Sequence, residues 1–344
     1  MAILRCSKCG HLEELPPEAA GTTQTCPHCQ ASVQAHDTVY FVSKALEKLF
    51  ALQVEAVRLR AVGAGGSMLA RSAPLAGSAE PFDLHNSALL STELQHGPVR
   101  DWFQRRQVRV RTNPRAVDTT GFFDEVAVAI GRNYSVLKEV VDRIRFAQMK
   151  GFTQATIHFE RKTPEQVEHI TRFCRQLFEY SFIAKCLHLK DEKPRLRLIL
   201  QTAPAIREFF NGDWLEWLVL MTLLESAREH GLRYSCARNL VITLQNEETF
   251  ELDVFFLIDG TRPLCVECKS GDFRQDIDRC LTLRRRLGIG RDDFIVCAAG
   301  LDAKQAAGFS STYDLVFCSE RDLRAQLERS LVPAVDTPRS ARTA

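Results

Sequence analysis

Three ionisable residues interrupt two apolar segments in the carboxyl-terminal third of the chain. Asp253 lies within "LDVFFL", and Glu267 and Lys269 lie within "LCVECK". Burying an unpaired charge is costly, so these residues need a chemical reason to be there. Two adjacent carboxylates repel each other, and a divalent cation relieves that repulsion. Asp253 and Glu267, with the backbone carbonyl of Cys268, could therefore bind Mg²⁺ or Mn²⁺, while Lys269 could orient an attacking water and neutralise charge on a phosphate.

The two segments must form neighbouring strands for this chemistry. Glu267 and Lys269 are two residues apart and so share one face of a strand. The short turn "DGTRP" favours antiparallel pairing, and a register with an even residue sum brings Asp253 to the same face. The alternative is a buried salt-bridge cluster without catalysis, although such clusters seldom stabilise a fold.

The arrangement of Asp253 with Glu267-Cys268-Lys269 resembles the PD-(D/E)xK nuclease superfamily. The resemblance implies a restriction-endonuclease-like domain, in which a mixed sheet is flanked by helices, and Mg²⁺- or Mn²⁺-dependent hydrolysis of phosphodiester bonds. Its expected partner is nucleic acid, with DNA favoured over RNA.

The same resemblance implies two further site residues. Members of the superfamily often carry an acidic ligand on the helix before the first catalytic strand, and Glu216 in "GDWLEWLV" matches it. Many carry a polar residue on the helix after the lysine strand, where Gln275 is the nearest match. The set "GDWLEW … ELDVFF … CVECKSG … RRRLGIG" is similar to the nuclease domain of CARF-fused CRISPR ancillary endonucleases, over about residues 210–300. Upstream, this chain has a cysteine motif and a linker in place of that family's sensor pattern.

Four cysteines form a second motif. Cys6 and Cys9 make one CxxC pair, and Cys26 and Cys29 make another. This spacing is typical of a four-thiolate zinc ribbon, in which each turn aims two sulfurs at one ion. Disulfides or a redox pair are the alternative, which a reducing cytosol disfavours. Because four ligands fill the coordination sphere, the Zn²⁺ is predicted to be structural.

Two basic segments are candidate nucleic-acid contacts. They are "RDWFQRRQVRVRTNPR", with Trp102 and Phe103 interleaved, and "LRRRLGIGR" just after the catalytic strand. Arginines pair with phosphates and aromatic rings stack on bases. The alternatives are a solvated strand face with two core aromatics, and pairing of the later arginines with nearby aspartates. The candidate residues are Arg105, Arg106, Arg109, Arg284, Arg285 and Arg286.

Composition limits the class of protein. The 344 residues carry a net charge of only +2, so any nucleic-acid surface is a local patch. The sequence contains no run of about 18 apolar residues, so it predicts no membrane span. The first residues lack a charged segment followed by an apolar one, so we expect a cytoplasmic location. The sequence is compatible with a homodimer and does not decide the oligomeric state.

Periodicity predicts an α/β protein with a small zinc ribbon, an α/β middle domain and the nuclease domain. The predicted segments are a zinc ribbon (1–35), a helix (36–61), a flexible linker (62–82), an α/β middle domain (83–206), the PD-(D/E)xK nuclease domain (207–330) and a disordered tail (331–344). The predicted function is a metal-dependent endonuclease targeted by its ribbon, in defence or DNA repair. Two alternatives are an inactive nucleic-acid-binding module and a signal-regulated CRISPR-type effector.

Overall fold

The computed structural model describes residues 2–37 except 7 and 10, and residues 93–112, 121–189 and 194–331. The chain divides into two compact units, Met1–Ser72 and Ala73–Ala344. Three predicted segments lie wholly or almost wholly outside the described residues. They are the helix 36–61, the linker 62–82 and the tail 331–344.

The first unit contains a four-stranded sheet in the order β2-β1-β4-β3. Its strands are β1 (Ala2–Arg5), β2 (Leu12–Leu15), β3 (Thr23–Thr25) and β4 (Ser32–Asp37). The neighbouring pairs are antiparallel. The two CxxC motifs directly follow β1 and β3, so the sheet brings the two turns together.

The second unit is built on a six-stranded mixed sheet in the order β13-β12-β11-β10-β9-β5. From β5 through β9 and β10 to β11, each strand pairs antiparallel with the next. From β11 through β12 to β13, each strand pairs parallel with the next. These strands are β5 (Arg109–Arg111), β9 (Tyr234–Thr243), β10 (Thr249–Ile258), β11 (Arg262–Lys269), β12 (Phe294–Ala298) and β13 (Val316–Cys318).

Helices cover both faces of this sheet, as the predicted fold class requires. They are α1 (Glu93–Gln104), α2 (Phe122–Arg132), α3 (Tyr134–Met149), α4 (Pro164–Glu179), α5 (Pro204–Glu208), α6 (Trp214–Glu229), α7 (Ile277–Leu287), α8 (Ala303–Thr312) and α9 (Leu323–Leu331). Side chains alternate between two cores: Val254 and Val266 pack with α2, α3, α6 and α9, while Phe255 and Cys265 pack with α1, α7 and α8.

A smaller antiparallel sheet, in the order β6-β8-β7, packs in the first of these cores. Its strands are β6 (Gln154–His158), β7 (Ile183–Leu189) and β8 (Arg195–Leu200). Thr163 and Gln166 form a capping box at the start of α4.

The structure does not separate 83–206 from 207–330. Strand β5 pairs with β9, and Trp102 and Phe103 of α1 pack on Phe255 with ring centroids 5.2 and 4.8 Å apart. Strand β5 therefore extends the large sheet and α1 packs on it, so contacts cross the boundary predicted near residue 206. Both aromatics are buried in the core rather than offered to bases.

No helix of the described residues is both long and apolar enough to cross a membrane.

Candidate active site and cysteine cluster

The candidate active site lies at Asp253, where β10 leaves its ladder with β11 and skips one pair of its ladder with β9. The ladder between β10 and β11 ends at the pair Val254–Val266. On the other side, the ladder between β10 and β9 is interrupted at Asp253, because Asn239 has a left-handed backbone with φ of 52°. Asp253 instead uses its side chain, whose Oδ2 accepts a hydrogen bond from the Cys268 backbone N–H at 2.6 Å.

This fork brings the three predicted ionisable groups together. The register of the last pairs places Asp253 opposite Glu267, on the face that Lys269 shares, as the even residue sum predicted. Lys269 Nζ lies 3.5 Å from Glu267 Oε2 and 3.9 Å from Asp253 Oδ2. The three groups therefore form one cluster at the end of the sheet.

Burial sets the electrostatics of this cluster. Desolvation and the neighbouring Asp253 charge raise the pKa of Glu267 to about 8, and desolvation also raises the pKa of Asp253. Burial by itself would lower the pKa of Lys269, but Asp253 and Glu267 raise it above its ordinary value, so the ammonium stays charged. Glu267 is only 5% exposed, and its Oε1 is buried without a hydrogen-bond partner among the residues that the structure describes.

Glu216 is held by two residues that sequence reasoning missed. Its Oε2 accepts hydrogen bonds from Arg238 Nη1 and Asn239 Nδ2, both at 2.9 Å. The Arg238 guanidinium is buried and lies 3.8 Å from the centroid of the Trp217 ring. Burial raises the pKa of Glu216 to about 8 even though Arg238 opposes that change, and the charge on Asp253 adds to it. The sequence does contain a sign of these two residues. Arg238 and Asn239 interrupt the strand segment "YSCARNLVIT", just as Asp253 interrupts "LDVFFL".

The donor set suits a divalent cation held mainly by two carboxylates. The unpartnered Oε1 of Glu267 and the charge repulsion between Glu267 and Asp253 are what a cation would relieve. Glu216 does not form a compact group of three potential metal ligands with Asp253 and Glu267. Among the described residues, only the four ribbon cysteines form a group of three or more potential ligands whose atoms all lie within 4.8 Å of one another. Both hydrogen bonds, from Arg238 and from Asn239, go to Glu216 Oε2.

Gln275 is exposed in a single turn, Arg274–Asp276, just before α7. It makes no hydrogen bond within the part of the chain that the structure describes. Its neighbour Asp276 contributes to the raised pKa of Lys269, so the turn lies near the cluster.

The loop after Lys269 is fixed by two other segments. Ser270 Oγ donates to Asn211 O at 3.2 Å, and Arg145 Nη1 on α3 donates to Ser270 O at 3.4 Å. Gly212 permits this approach, since a Cβ there would lie 2.9 Å from Ser270 Oγ.

Of the six arginines predicted to contact nucleic acid, five make contacts within the protein, among them Arg105, whose Nε donates to Asp101 O at 3.2 Å. Arg109 pairs with Glu247, and Arg286 pairs with Glu248. Arg106 lies over the Trp102 ring, with 3.6 Å from its Cζ to the ring centroid.

Arg284 corrects the prediction most clearly. It is buried, pairs with Asp314 and donates to Ile289 O at 3.3 Å, so it stabilises the end of α7 rather than facing a ligand. Its partner is not one of the nearby aspartates that the sequence suggested. Arg105 and Arg285 remain exposed, with no carboxylate partner among the described residues.

The four ribbon cysteines converge as predicted. Cys6 Sγ lies 3.4 Å from Cys29 Sγ, and Cys9 Sγ lies 3.6 Å from Cys26 Sγ. The edge of a tetrahedron with four 2.3 Å metal–sulfur bonds is about 3.8 Å, so the cluster could hold one metal ion. Each turn closes alike, with the Cys6 N–H donating to His11 O and the Cys26 N–H donating to Ala31 O, both at 2.8 Å. A hydrogen bond from the Cys9 backbone lowers the pKa of the Cys6 thiol to about 6, which favours the thiolate.

Comparison with solved structures gives distant structural neighbours, among them the following two. Protein VC1899 from Vibrio cholerae is 15% identical with a TM-score of 0.46, over 68% of this chain and 60% of that one. Can2 from Sulfobacillus thermosulfidooxidans, solved in complex with cyclic tetra-adenylate, is 17% identical with a TM-score of 0.46, over 68% of this chain and 59% of that one. The matched part thus spans about 60% of each neighbour's length. No protein-family model and no curated protein matches this chain.

Proposed function

We propose that this protein is a metal-dependent nuclease that hydrolyses phosphodiester bonds in nucleic acid. The observation that carries the proposal is the cluster of Asp253, Glu267 and Lys269 at a fork in the sheet, with one buried carboxylate oxygen left without a partner. Pairing with Lys269 leaves one of the two carboxylate charges uncompensated, and a divalent cation provides the missing positive charge.

Each residue of the cluster has a separate role. Asp253 and Glu267 would hold the Mg²⁺ or Mn²⁺ ion, and the backbone carbonyl of Cys268 is the third candidate ligand. When bound, such an ion polarises a phosphoryl oxygen and lowers the pKa of an attacking water. Lys269, which stays protonated, donates to that water or to the phosphate and neutralises its developing charge. Glu216, held by Arg238 and Asn239, would act through a water molecule or orient the site.

The four-cysteine cluster has a structural role in this proposal. Four thiolates would hold one Zn²⁺ and leave no open position for a substrate. The ion would fix the two turns of the first unit, which then serves as a targeting module for nucleic acid or a protein partner. DNA is the proposed substrate ahead of RNA.

The test is cleavage of labelled DNA and RNA panels by the purified protein in Mg²⁺, in Mn²⁺ and in EDTA. We expect cleavage in the metals and none in EDTA. Lys269→Ala should abolish most cleavage yet keep Mn²⁺ binding, because both carboxylates remain, whereas Glu267→Ala should lose both. Lys304→Ala, an exposed lysine on α8, is the matched control. Binding without cleavage in any metal would instead support the nucleic-acid-binding module.

A further inference from the structure

One surface of the second unit combines exposed apolar side chains with positive charge. At the end of α3 and in the turn after it, Phe146 is 55% exposed, Met149 is 67% exposed and Phe152 is 57% exposed. The two phenylalanine rings lie edge to face, with centroids 6.4 Å apart. We call these three residues the aromatic patch. Large apolar groups clustered on a surface usually mark a binding site.

Positive charge surrounds the aromatic patch. The sequence from 143 to 159 contains Arg143, Arg145 and Lys150 but no aspartate or glutamate. Arg143 and Lys150 are exposed and have no carboxylate partner in the part of the chain that the structure describes. This contrasts with Arg109 and Arg286, whose charges are neutralised by glutamates.

The aromatic patch is also tied to the candidate active site. Arg145, adjacent to Phe146 on α3, donates to the carbonyl of Ser270, the first residue after Lys269. Farther along α3, Gln148 Nε2 donates to Gln201 O and Gln148 O accepts from Arg207 Nη2, both at 3.4 Å. These contacts fix the end of the helix against the segment that leads to α6. The helix that carries Phe146 and Met149 is therefore held against the loop that follows Lys269.

We propose that the aromatic patch stacks on unpaired bases of a nucleic-acid strand that enters the candidate active site, while Arg143 and Lys150 contact its phosphates. Exposed rings can stack on any base, and cations beside them hold the backbone. In a duplex the bases are already stacked on each other, so the patch favours a strand with unpaired bases. This role rests on the proposed nuclease function, which requires the strand to run toward the candidate active site.

The experiment measures strand binding in a Lys269→Ala background, so that the probe stays intact. The probes are a fluorescein-labelled thymidine oligonucleotide and a labelled hairpin duplex, read by fluorescence anisotropy in Mg²⁺. Phe146→Ala with Phe152→Ala should weaken binding of the single strand about 5- to 150-fold and leave the duplex affinity unchanged. Phe146→Tyr with Phe152→Tyr should retain the affinity because the rings remain.

Phe178→Ala is the matched control, since Phe178 is 49% exposed near the end of α4, a helix other than the one that carries the aromatic patch. It should leave binding unchanged. Because all these side chains are exposed, thermal melts should agree among the variants.

Several outcomes would overturn the inference. They are no single-strand binding by the background protein, equal single-strand affinity in the alanine variant, or equal losses for duplex and single strand. If light scattering shows a dimer that the alanine variant converts to monomers with unchanged affinity per chain, the patch is instead an interface between copies. Failure of the proposed nuclease is seen separately, as single-strand binding that depends on Phe146 and Phe152 without cleavage by the unmodified protein.

Discussion

The Asp253 carboxylate accepts the backbone N–H of Cys268 at 2.6 Å, at the point where the strands that carry these two residues cease to pair. The side chain thus replaces one hydrogen bond of the ladder and keeps the two strand ends together while they diverge. Asp253 therefore has a structural role in addition to its proposed role as a metal ligand, and the two roles can be separated by mutation.

The first prediction separates these roles. Asp253→Asn keeps a carbonyl oxygen that can accept the Cys268 N–H but loses the negative charge, whereas Asp253→Ala loses both. We expect both variants to lose Mn²⁺ affinity by isothermal titration calorimetry. In urea melts, the alanine variant should be less stable than the asparagine variant by about 1–3 kcal/mol, the cost of a buried donor without a partner. Retained Mn²⁺ affinity in Asp253→Asn would show that this carboxylate is not a metal ligand.

The second prediction concerns pH in the absence of metal. The carboxyl of Glu267 has an ordinary pKa of 4.5 and one of about 8 in the folded protein, so folding favours its protonated form. The stability that it confers is present below pH 4.5 and is lost as the pH rises through about 8. In EDTA, the melting temperature should therefore fall between about pH 4.5 and about pH 8, and Glu216, whose pKa is also about 8, adds to the same fall.

All three tryptophans, Trp102, Trp214 and Trp217, lie in the second unit, so their fluorescence follows its melting without a signal from the ribbon. Glu267→Gln should flatten the pH dependence, with Glu179→Gln on the surface of α4 as control. Saturating Mg²⁺ should also flatten it, because a cation stabilises the ionised carboxylates. A parent protein equally stable across this range in EDTA would contradict the assigned burial of Glu267.

The third prediction concerns the pair Arg238 and Glu216. Arg238→Met leaves the buried Glu216 carboxyl without its main hydrogen-bond donor, which should cost about 1–3 kcal/mol of unfolding free energy, because that carboxyl then takes up a proton rather than staying charged. Adding Glu216→Gln should recover part of that loss, because the carboxyl that lost its donor is removed. Urea melts of the two single variants and the double variant give the coupling free energy. Additive losses would mean that the 2.9 Å contact contributes no net interaction.

Asn239→Gly supplies a finer control for the same site. Glycine accepts the left-handed backbone at this position, so the change removes only the amide that donates to Glu216. We expect a smaller loss of stability than for Arg238→Met and a measurable loss of cleavage if Glu216 orients the site.

The fourth prediction concerns the cysteine cluster. Elemental analysis should find about one zinc per chain, because four thiolates within reach of one point form a complete ligand set. Cys26→Ser with Cys29→Ser should remove that zinc, while tryptophan fluorescence still reports a folded second unit. Cys186→Ser, a half-buried cysteine of β7, should leave the zinc content unchanged. Full zinc occupancy in the double variant would exclude the assignment.

Local patterns in the sequence were sufficient for several features. The two CxxC pairs located the cysteine cluster, since each pair is closed by its own short turn. The charges inside "LDVFFL" and "LCVECK" located Asp253, Glu267 and Lys269, and the alternation of strand residues gave their common face. Most helices and strands were also located, because periodicity depends on near neighbours along the chain.

The sequence by itself therefore determined the cysteine cluster, the three charged residues at the fork and the α/β class. Only the tertiary structure decided that β5 extends the large sheet with α1 packed on it, and that Arg238 and Asn239 hold Glu216. It also decided which arginines pair with a carboxylate. The physical reason is distance along the chain: the partner of Arg109 is 138 residues away and that of Arg284 is 30 residues away. Sequence periodicity carries no information about such partners, because the fold alone brings them into contact.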